Sequence, residues 1–190
     1  MQKLSTSDHE SLRRAIDDAE KRTNTHIALV VVPVSDRYHM YPLAYGALLA
    51  LALGGALALF CPQLALRTAF VAEAAVFVVF SAMFDWMPLR LRLVPSSIRR
   101  ARARNFAHRE FAARIATTHR GGLLLFVSLG ERYVELLADR DLHARVGQQA
   151  WDRIVSELTS RARSGQLVKS LHAAIHACSD AIQASAQKSV

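Results

Sequence analysis

Two long apolar runs interrupt an otherwise mixed pattern of hydrophobic and polar positions. Leu43 to Phe60 reads LAYGALLALALGGALALF, 18 residues without a charge. At about 1.5 Å rise per residue a helix of that length approaches the ~30 Å hydrocarbon thickness of a bilayer. Leu64 to Trp86 forms a second run of 23 residues with Glu73 well inside it, and Cys61-Pro62-Gln63 between the two leaves room only for a tight turn. The pattern predicts a transmembrane helical hairpin.

Around the hairpin the periodicity is that of a small α/β protein. Asp8 to Arg22 carries Leu12, Ile16 and Ala19 at helical spacing behind Ser5 or Ser7 as N-cap. Ile27 to Val34, IALVVVPV, is a nearly continuous apolar run that predicts a strand buried on both faces. Pro95-Ser96-Ser97 opens a long Arg-rich helix, Ile98 to Thr118, with Phe106, Ala107, Phe111 and Ile115 toward one side, and Gly121-Gly122 ends it. Leu123 to Leu129 and Arg132 to Ala138 read as a β-hairpin around Gly130-Glu131. Helices are expected over Leu142 to Ala162 and Leu167 to Ala186, the second with Leu171, Ile175, Cys178 and Ile182 on one stripe. The predicted fold class is therefore α/β: a small mixed β-sheet covered by helices, an α/β/α sandwich, whose first two strands run parallel through a right-handed crossover. In this reading 1–40 and 90–190 form one domain, and 41–89 is a hairpin inserted in its crossover.

Charge adds an orientation. The chain has 190 residues and a formal charge of +8, yet 41–89 holds only Arg67, Glu73 and Asp85, whereas 90–120 holds nine arginines against Glu110 alone. Arg37 precedes the first span, and Arg90, Arg92, Arg99, Arg100, Arg102 and Arg104 follow the second, so the positive-inside rule puts both termini in the cytoplasm. The N-terminus is charged without an apolar stretch, and no cleaved signal peptide is expected. Twenty arginines against four lysines fit a G+C-rich bacterial genome, hence a two-span protein of a bacterial inner membrane. Arg99, Arg100, Arg102 and Arg104 lie close enough to a span end to contact anionic lipid, a reading preferred over nucleic acid. Cys61 and Cys178 fall on different elements and predict no disulfide framework.

Gly46, Ala50, Gly54 and Ala58 recur every fourth residue and place small side chains on one helix face. That face packs the first span on the second, or alternatively forms a homodimer seam. Glu73, Phe77 and Ser81 make a matching row on the second span. A charged carboxylate in hydrocarbon costs about 2.5–3.5 kcal/mol on insertion scales, so Glu73 must face protein, reach the interface or carry a proton.

ALVVVPV after a helix ending AEKRTNTHI, then GGLLLFVSLGERYVELLADRDL and WDRIVSEL, resembles the TPM domain family over about 3–34 and 96–185. The resemblance implies an α/β/α sandwich and roles such as phosphatase chemistry, photosystem repair or receptor modulation. This chain departs from the pattern of the phosphatase and calcium-linked members. It begins Lys3-Leu4-Ser5-Thr6-Ser7-Asp8 where they carry an Asp-x-Ala-Gly type motif, and Asp139-Arg140-Asp141 replaces their glycine-rich acidic loop. Asp139, Asp141 and Glu131 are thus weak candidates for a divalent cation, which wants several converging oxygens. His172, His176 and Cys178 lack the further ligands of a zinc site, and Ser128 lacks a nucleophile elbow. The expected function is an accessory, non-catalytic role in assembling, repairing or modulating another membrane protein, with no resident cofactor. A metal-assisted phosphomonoester hydrolase and an anionic-lipid-binding module are the alternatives.

Overall fold

A computed structural model describes residues 5–36, 38, 40–61, 63, 65–84, 94–115 and 122–187. Arg37, Arg90, Arg92, Gly121 and the 85–86 end of the second apolar run lie outside the described residues. Among the described residues ten elements follow one another: α1 (Thr6–Thr23), β1 (His26–Val32), α2 (Met40–Phe60), α3 (Leu66–Phe84), α4 (Ser96–Arg114), β2 (Gly122–Ser128), β3 (Tyr133–Ala138), α5 (Arg140–Val146), α6 (Gln148–Arg163) and α7 (Leu167–Gln187). The chain divides into two compact units, Met1–Ser35 with Ala101–Val190, and Asp36–Arg100.

In the first unit α1 starts where Ser5 can close a capping box. Its hydroxyl accepts from the Asp8 amide at 3.3 Å, and the Asp8 carboxylate accepts from the Ser5 amide at 2.9 Å. Two donors that a helix start leaves orphaned are thereby satisfied. The helix ends at Asn24 in the left-handed region, φ 48°, with its amide bonded to the Glu20 carbonyl. Leu12, Ala15 and Ala19 form its buried stripe.

The sheet order is β1-β2-β3, parallel between β1 and β2 (His26 opposite Gly122) and antiparallel between β2 and β3 (Leu123 opposite Ala138). Alternate residues of β2 feed two separate cores. Leu123, Leu125 and Val127 pack with Leu12, Leu142, Trp151 and Leu171 from α1, α5, α6 and α7. Leu124 and Phe126 pack with Val30 and with Ala103, Ala107 and Ile115 from α4 and its end. Alanines at 103 and 107 let α4 come close to the strands, and Phe106 meets Phe126 at a ring separation of 5.8 Å. Each fully buried Leu or Phe contributes about 1.5–3 kcal/mol by leaving water.

One expectation needs refining and another correction. β1 meets core on both faces, Ile27 in one cluster and Val30 in the other, but it is not buried throughout, and its other residues are partly exposed. Its apolar run is continuous because both faces touch core, but its place at the sheet edge leaves its flank open. All seven residues of the central β2 are buried instead. The helix expected over Leu142 to Ala162 is two helices, broken at Gly147 with φ 85°, a conformation that glycine adopts without steric cost.

The second unit is the hairpin α2–α3. Both helices are long and apolar enough to cross a membrane. Neither hides its apolar surface: Leu48, Leu51, Leu59, Phe70, Val78 and Val79 are all exposed.

Candidate functional site

Within the hairpin the small-residue row of α2 lies against the row of α3 that carries Glu73, Phe77 and Ser81. A Cβ on Gly46 would collide with Ser81 Oγ and stand 3.3 Å from the Phe77 carbonyl oxygen. One on Gly54 would stand 3.0 Å from Glu73 Oε2. Gly46 and Ala50 are buried, Gly54 is half-buried and Ala58 is exposed. The seam is thus tight at the Gly46 end and opens toward Cys61, into a groove of about 530 Å³ bordered by Gly54, Ala58, Ala69, Phe70 and Glu73. Gly55, one residue from Gly54, meets nothing within 4 Å.

The four arginines selected from the sequence sit on α4 in unlike surroundings. Arg100 and Arg102 are exposed, and Arg99 is half-buried. Arg104 leans on its neighbours, with Nε 3.5 Å from His108 Nε2 and 3.9 Å from Glu135 Oε1 on β3. Burial pushes the Glu135 carboxyl above its ordinary range, while a Tyr133 hydrogen bond and the charges of His108 and Arg104 pull it back.

The three acids proposed for a cation do not converge. Asp139 caps α5, accepting from the Leu142 amide at 2.7 Å, and with its other oxygen accepts from the Gly122 amide at 2.7 Å. Asp141 is exposed in the first turn of α5. Glu131 lies beyond the opposite end of β3, where it is buried and accepts from the Ser35 amide at 2.9 Å and from the Ser128 hydroxyl. Among the described residues no group of three or more His, Cys, Asp or Glu could hold a metal ion. His172 Nε2 lies 3.1 Å from the Ser11 hydroxyl, and His176 Nδ1 lies 3.4 Å from Arg22. Cys178 is buried and free, its thiol pushed up to about 12 by burial; Cys61 is free and exposed.

Sequence reasoning missed a cleft of about 470 Å³ at the carboxyl end of β2. Its polar members are Ser128 from β2, Arg132 from the β2–β3 turn, and Thr159 and Arg163 from α6. Its apolar wall includes Val127, Val134, Ala162 and Leu167. Arg132 is held with φ 52°, an uncommon conformation for a residue with a side chain. The turn is pinned by Leu129 and Gly130 amides bonded to the Val32 and Pro33 carbonyls. The one hint in the sequence is Gly130-Glu131-Arg132 directly after a fully apolar strand. Arg163 has no local signal, because only the fold brings α6 beside this turn.

No family model matches the chain, and no curated protein matches it. The fold is similar to the NMR structure of BA42 protein from the psychrophilic bacterium Bizionia argentinensis sp. nov., with a TM-score of 0.54 over 97% of this chain and 84% of that one. The two share 14% sequence identity, so the likeness is one of fold.

Proposed function

We propose that this protein is an accessory factor of a bacterial inner membrane. Its α/β unit is an α/β/α sandwich of the TPM type, held at the cytoplasmic face by the α2–α3 hairpin, and it works by contact with another membrane protein rather than by catalysis. One observation carries the membrane reading: among the described residues, every exposed large apolar side chain, from Met40 to Met83, lies on α2 or α3. A core helix of a soluble protein buries such residues, whereas a lipid-facing one shows them. The half of the seam that α3 leaves open beside Ala58 is where another membrane helix would be received. Arg100 and Arg102, exposed on α4, support contact with anionic lipid.

The two cysteines supply the test. Cys178 is buried and poorly ionised, so Cys61, between the two spans, is the reactive thiol. A membrane-impermeant maleimide should label Cys61 on intact spheroplasts, and a C-terminal reporter active only in the periplasm should stay silent. Labelling that requires lysis, or an active reporter, overturns the topology.

A further inference from the structure

We propose that the cleft at the carboxyl end of β2 binds a small amphiphilic anion, a carboxylate or phosphate monoester carried on an apolar body. The cleft has the volume of a small-molecule site. It lies at the carboxyl end of β2, the central strand, and open α/β sheets take their ligands at the carboxyl ends of strands.

The charge around it is incomplete. Arg132 and Arg163 border the same apolar space, and neither has a carboxylate partner among the described residues. The acids that could answer them are committed elsewhere. Glu131 accepts from the Ser35 amide and the Ser128 hydroxyl, and Glu157 pairs with Arg161 at 2.5 Å. Ser128 donates to Glu131, and Thr159 donates to the Val155 carbonyl at 2.7 Å, so neither hydroxyl proton is left for an anion. The arginines are therefore the donors a carboxylate or phosphate would meet, and guanidinium groups match both in a two-pronged fashion. Val127, Val134 and Leu167 would cover the apolar body. The positive φ of Arg132 is a local strain of the kind that persists where a side chain is held for a task.

The test uses full-length protein in phosphatidylcholine nanodiscs, titrated calorimetrically with hexyl phosphate, hexanoate, hexanol and inorganic phosphate. Saturable binding of hexyl phosphate or hexanoate is expected, at least about tenfold tighter than hexanol or phosphate alone, because each of those lacks one half of the recognition. Arg132→Gln and Arg163→Gln should each weaken the anion about tenfold or more and leave the melting temperature in place, and Arg163→Lys should restore part of the affinity. Discs containing phosphatidylglycerol distinguish the sources: loss of the hexyl phosphate signal assigns the site to a lipid headgroup, and an unchanged signal assigns it to a soluble ligand. Hexanol binding as tightly as the anions, affinities that ignore both Gln variants, or no saturable binding overturns the proposal.

Discussion

Gly54 and Glu73 meet across the hairpin so closely that a methyl group on the glycine would touch the carboxylate, 3.0 Å from Oε2. The contact is a register marker. Gly46 meets Ser81 and the Phe77 carbonyl two turns away, so both glycines of the row are set by the same alignment of the two helices.

Three alanine substitutions read that alignment. Gly46→Ala should cost most, about 1–3 kcal/mol, because its methyl group meets backbone as well as Ser81. Gly54→Ala should cost less, since the end of the Glu73 side chain can move aside. Gly55→Ala, facing open space, should be neutral or stabilising by up to about 1 kcal/mol. Thermal unfolding in mild detergent gives the ranking, and a Gly55 variant as damaged as the Gly46 one would contradict the seam.

Asp139 and Asp141 should separate by role. Asp139→Ala removes the cap of α5 and the acceptor for the Gly122 amide, so a loss of about 1–3 kcal/mol is expected. Asp141→Ala, on an exposed helix turn, should stay within about 0.5 kcal/mol. Chemical denaturation measures both. Equal losses would mean that Asp141 holds something the fold needs.

Cys178 should make the fold alkali-sensitive. Its thiol rises from the ordinary 9.0 to about 12 on burial, so the unfolded chain ionises first. The stabilisation is complete below pH 9 and is lost as pH climbs from there toward 12, at no more than about 1.4 kcal/mol per pH unit. Unfolding curves of the wild type and Cys178→Ala should run parallel below pH 9 and converge above it. Curves parallel throughout would show that the thiol is not so buried.

On α4, Arg100→Gln should remove up to about 1 kcal/mol of attraction to anionic vesicles at low salt. Arg104→Gln should remove less, because Glu135 already shares its charge. Co-sedimentation of a variant lacking 41–89 reports this. Binding that ignores salt, or an Arg104 variant weaker than the Arg100 one, would assign the helix to packing and topology alone.

Legibility in the sequence followed the range of the forces involved. The uncharged Leu43 to Phe60 run, an N-cap serine at position 5 or 7 and LLLFVSL are local signals, and each marks an element that is present. The break at Gly147 was hidden because apolar spacing continues through it from Leu142 to Leu158. The edge position of β1 depends on strand order, which no window around 26–32 contains. The Arg132–Arg163 cleft joins a turn to a distant helix, and arginines elsewhere in so Arg-rich a chain looked alike until the fold sorted them.

The insertion of the hairpin between β1 and β2 also dictates the order of events during synthesis. His26 leaves the ribosome long before its partner Gly122 is made, and at ordinary elongation rates the wait is on the order of ten seconds. During that interval β1 has no neighbour in the sheet, while the two helices long and apolar enough to cross a membrane emerge. The sheet can close only once β2 has followed the hairpin out, so the shelter of β1 waits on whatever becomes of the two apolar helices.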